Sequence, residues 1–70
     1  MEWIYVSGFN TAPGFREWLT SKGVRTRQKQ DNLINRLTAN EVILFGSGQY
    51  RMRFELKDGV GIFYIERKLE

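Results

Sequence analysis

The chain has 70 residues with 11 Lys and Arg against 8 Asp and Glu, for a formal net charge of +3, and contains neither Cys nor His. That excludes disulfides, thiolate or imidazole zinc sites, a Ser-His-Asp triad and a cysteine nucleophile. It leaves one small domain whose stability must come from packing, with ten aromatic residues as the main source.

In chain order, Glu2–Ser7 reads as a strand, because Trp3, Ile4, Tyr5 and Val6 are aromatic and β-branched types suited to a pleated surface. Gly8 is expected to open a loop running to Gly14. That loop lacks the glycine spacing and the Lys-Ser/Thr pair of a phosphate-binding P-loop and reads as an ordinary strand-to-helix turn. Thr11 offers an N-cap, with Pro13 in the first turn, where its missing donor costs nothing. Phe15, Trp18, Leu19 and Lys22 share a helical face, and Gly23 ends the helix. A second helix is expected from Arg27 to Ala39, capped by Thr26 and stopped at Asn40. Its apolar stripe is Leu33, Ile34 and Leu37, extended by Gln30.

The rest of the chain reads as a β-meander. Glu41–Phe45 is the first strand, Gly46-Ser47-Gly48 turns, and Gln49–Lys57 alternates. Asp58-Gly59 marks a type I′ hairpin. That turn sets a register in which Lys57 faces Val60, Glu55 faces Ile62, Arg53 faces Tyr64 and Arg51 faces Glu66. The opposite face collects Tyr50, Met52, Phe54, Leu56, Phe63 and Ile65 as a core. The expected fold is α+β in two layers, β-α-α-β-β-β, with two helices on one face of an antiparallel meander in a single unit spanning residues 1–70. The position of the first strand stays open between the two edges of the meander. Trp3, Phe15, Trp18 and Phe54 are assigned to the core.

Charge and aromatic surface are segregated. Ser21–Arg36 holds five basic residues against Asp31 alone, whereas the rest of the chain has six basic and seven acidic residues. No aromatic residue occurs between Leu19 and Leu44. At 100° per residue, Lys29, Asn32 and Arg36 fall within about 60° of one another and about 115° from the apolar stripe, a solvent-facing arrangement. With Lys22, Arg25 and Arg27 they form a candidate surface for nucleic-acid phosphates. Duplex is favoured over single strand, since no aromatic side chain interleaves with the charges. The bland alternative is a solvated helix face.

A second candidate surface is the outer face of the meander, with Arg51, Arg53, Ile62 and Tyr64 at its centre and Val42 and Leu44 beside them. Two helices cannot easily cover both faces of a sheet, and apolar residues rimmed by charge suit a protein contact or self-association. Its bland reading is internal: an Arg51–Glu66 ion pair and Arg53 stacked on Tyr64.

The function expected from these features is a non-enzymatic binding module that contacts nucleic acid. The alternative is an inhibitor or adaptor protein, of the kind phages and mobile elements carry. A metal-independent ribonuclease using Arg and Tyr ranks third. No cofactor or metal is called for. The apolar runs are too short to span a bilayer, and Met1-Glu2-Trp3-Ile4 has no signal-peptide pattern, so a cytoplasmic protein without membrane contact is expected.

Overall fold

The computed structural model describes residues 2–69. Its elements run β1 (Trp3–Phe9), α1 (Ala12–Ser21), α2 (Arg27–Thr38), β2 (Ile43–Phe45), β3 (Tyr50–Lys57) and β4 (Val60–Lys68). The four strands form one antiparallel sheet in the order β1-β4-β3-β2. The fold is therefore the α+β order expected, and β1 takes the edge beside β4.

Local chemistry explains the element ends. Thr11 accepts a hydrogen bond from the Gly14 amide (3.2 Å), and Thr26 does the same for Lys29 (3.3 Å), so both expected caps form. Asn40 ends α2 in the left-handed region, at φ 68°. Asp58 and Gly59 also have positive φ, 53° and 79°, as a type I′ turn requires. The resulting β3–β4 register pairs Arg51 with Glu66, Arg53 with Tyr64, Glu55 with Ile62 and Lys57 with Val60, as the sequence implied.

The core lies between the sheet and the helices. Phe15 and Leu19 from α1 and Leu37 from α2 are buried against Met52, Phe63 and Ile65. Phe15 is its centre. Its ring stacks on Phe63 with centroids 4.4 Å apart, while Phe9 and Trp18 each lie 6.0 Å from it.

Four expectations about individual strands change. First, β1 continues through Gly8 and Phe9 instead of breaking at Gly8. Second, Trp3 is not in the core. A bulge at Val6 shifts the β1–β4 register between Tyr5 and Ser7. Strict alternation would put Trp3, Tyr5 and Phe9 on one face. The extra residue instead leaves Trp3 and Tyr5 on the outer face and turns Phe9 inward. Third, Leu56 lies on the inward face but is 70% exposed. It lies at the far end of β3, a strand of eight residues and so about 27 Å long. The ten-residue α1 spans only about 15 Å, and neither helix covers the hairpin tip. The strand expected over Glu41–Phe45 is also shorter, starting at Ile43.

Candidate nucleic-acid interface and the open face of the sheet

The basic segment divides into cations that are paired and cations that are not. Asp31, its single acid, takes a 2.6 Å ion pair from Arg16 on α1. That bond joins the two helices and removes the only negative charge from the segment. Arg36 is exposed, as expected, but reaches Glu41, with its Nε donating at 3.0 Å. This hydrogen bond, with the attraction of the guanidinium, holds the Glu41 carboxyl below its ordinary range against a smaller effect of burial. Asn40 makes the contact possible, because its left-handed backbone turns the chain back along the last turn of α2.

Lys22, Arg25, Arg27 and Lys29 are exposed, and among the described residues none has a carboxylate partner. They surround the α1–α2 connection and the first turn of α2. No acidic residue occupies that first turn. Arg27 and Lys29 thus stand at the positive end of the helix dipole, where carboxylates are favoured and cations cost stability. Asn32 is exposed one turn further on. The six expected residues are therefore all exposed, and Arg36 is set apart by its partner.

Gln30 holds this connection in place. It is 6% exposed, and its amide donates to the Val24 carbonyl at 2.8 Å and the Thr20 hydroxyl at 2.9 Å. Its helical position was legible in the sequence, but its bonding to the chain between the helices was not.

The outer face of the sheet has no helix on it. Here both expected internal contacts form: Arg51 Nε donates to Glu66 at 2.6 Å, and the Arg53 guanidinium lies 4.4 Å from the Tyr64 ring centroid. Arg53 also donates to Glu66 at 3.0 Å and to Glu55 at 2.6 Å. Arg51 covers the Trp3 ring at 4.5 Å, and Tyr5 meets Tyr64 edge-on at 6.3 Å. Glu66 is 8% exposed. Burial pushes its carboxyl up, but the hydrogen bonds from Arg53 and Arg51 outweigh burial and hold it below the ordinary carboxylate range. Around this network Tyr5, Leu44 and Val60 are exposed and Ile62 is half-buried.

Among the described residues no group of three or more acidic side chains is placed to hold a metal ion, and no helix is long and apolar enough to cross a membrane. No protein-family model, curated protein or solved structure matches the chain.

Proposed function

We propose that the protein is a binding module that grips nucleic-acid duplex through its phosphates, using Lys22, Arg25, Arg27 and Lys29. The observation that carries this reading is the set of four exposed cations without carboxylate partners around one helix connection. Cations at a helix N-terminus gain nothing from the dipole, whereas a phosphate placed among them meets both the side chains and free amides. Asn32 is the side chain best placed to reach a base edge from the same helix. Arg36, held by Glu41, contributes least.

The test is duplex retention measured against salt concentration. Affinity should fall steeply with salt, and Arg27→Gln with Lys29→Gln should make the log–log slope shallower by about 0.9 for each phosphate no longer neutralised. Arg36→Gln should leave it nearly unchanged. Absence of binding at low salt, or binding indifferent to salt, overturns the reading.

A second reading is a protein contact through the open face of the sheet. It is favoured by exposed Tyr5, Leu44 and Val60 beside the arginine–aromatic network, since aromatic residues and Arg are enriched in interfaces. The metal-independent ribonuclease has less support, because Arg51 and Arg53 are both engaged by acids of their own sheet.

A further inference from the structure

A cavity of about 280 Å³ opens on the helical side of the sheet, at the end away from the Asp58–Gly59 turn. Its walls are Val6, Trp18, Phe45 and Tyr50, with Gly46 behind Tyr50 and Lys22 at the rim. The aromatic walls are fixed against one another. Trp18 meets Phe45 edge-on at 5.9 Å, and Phe45 stacks on Tyr50 at 5.3 Å. Gly46 has φ 58°, and a Cβ there would stand 2.9 Å from the Tyr50 ring, so glycine is what lets that ring come this close to the turn.

Its electrostatics have one sign. The Lys22 ammonium lies 5.8 Å from the Trp18 ring centroid, and no carboxylate of the described residues lines the cavity. Arg67, the register partner of Tyr50, brings a second cation to the same face of the sheet. Aromatic walls with Lys22 among them suit a planar ring that carries an anion.

We propose that this cavity binds a nucleotide, its base flat on Tyr50 and edge-on to Trp18, as Phe45 lies, and its phosphate at Lys22. Stacking is sequence-tolerant because every base has a π-face, and the rim charge selects for the phosphate. The proposal rests on the phosphate-binding reading above through Lys22 alone. The remaining walls belong to other elements, so the two stand or fall separately.

The test uses a Trp3→Phe chain, which leaves Trp18 as its one tryptophan. Adenosine 5′-monophosphate should quench Trp18 fluorescence at lower concentration than adenosine or ribose 5-phosphate does. Lys22→Gln should weaken the monophosphate about tenfold, as for removal of one charge-assisted hydrogen bond, and leave adenosine unchanged. Val6→Phe replaces a 46% exposed side chain and fills the cavity. It should abolish quenching while circular dichroism stays that of the parent. A short single-stranded oligonucleotide that displaces the monophosphate at lower concentration assigns the site to an unpaired base of a nucleic acid. An oligonucleotide that fails to displace it assigns the site to a free nucleotide. No quenching at millimolar monophosphate, or quenching indifferent to Lys22→Gln and Val6→Phe, overturns the proposal. Salt-dependent duplex binding through Arg25, Arg27 and Lys29 would survive that failure, since Val6→Phe does not touch it.

Discussion

Glu66 shows how one buried charge organises a surface otherwise open to solvent. Removing it would leave Arg51 and Arg53 without their shared partner, and breaking such an arrangement on one side costs about 1–3 kcal/mol. Glu66→Gln is therefore expected to lose stability of that order at neutral pH, read by urea denaturation. The pH dependence has a definite sign. The folded carboxyl is held below its ordinary value, so its contribution is complete above the unfolded pKa of about 4.3 and fades as pH falls through the folded value. The stability difference between parent and variant should narrow as the solution is acidified below about pH 4. A difference that is constant from pH 7 to pH 3 would mean that the ionised carboxylate is not what matters. The Arg51–Glu66 pair was legible because a two-residue turn dictates which residues face each other. The Arg36–Glu41 pair was not, since it depends on how the chain leaves α2 after Asn40.

At the scale of the elements, helix caps, the hairpin and the helical stripes could be read directly, because each depends on residues close together in sequence. The β1 bulge could not. It is visible only against β4, about sixty positions away in the chain, and no local pattern around Val6 announces it. Its consequence is large: Trp3 joins the outer face and Phe9 the core. The connection between the helices is a second case in which a distant contact decides the structure. Gln30 ties α2 to Val24 and Thr20, and truncation to Ala leaves the Val24 carbonyl without its partner. Gln30→Ala should destabilise the fold by about 1–3 kcal/mol. It should also loosen the basic turn, with faster amide exchange at Val24 and Arg25 than in the parent. A stability change under about 0.5 kcal/mol, the range of ordinary surface substitutions, would show that this bonding does not hold the helices together.

The whole molecule is a plate of about 33 × 31 × 18 Å, with helices on one side and a bare sheet on the other. Its net charge of +3 gives a poor description of that shape. Lys22, Arg25, Arg27 and Lys29 gather at the helix connection without carboxylate partners, while on the strands Arg51 and Arg53 are engaged by Glu66 and Glu55 and Lys57, Arg67 and Lys68 have no carboxylate partner among the described residues. The segregation was plain in the sequence, but which cations remain available emerged only with the fold. Two surfaces so different predict separable effects. If the sheet contacts protein, Ile62→Asp or Leu44→Asp should abolish partner retention or concentration-dependent self-association. Both positions lie on the outer face opposite β3 residues, outside the buried core; Leu44→Asp, opposite Arg51, should shift thermal unfolding little, and Ile62→Asp, opposite Glu55, should lower it more. The same variants should leave the salt dependence of duplex binding untouched, and Arg27→Gln with Lys29→Gln should do the reverse. Retention through the sheet must also survive nuclease treatment, because nothing on that face depends on phosphate. Retention that disappears with nuclease, or persists in Ile62→Asp, removes the sheet from consideration and leaves the helix connection as the working surface.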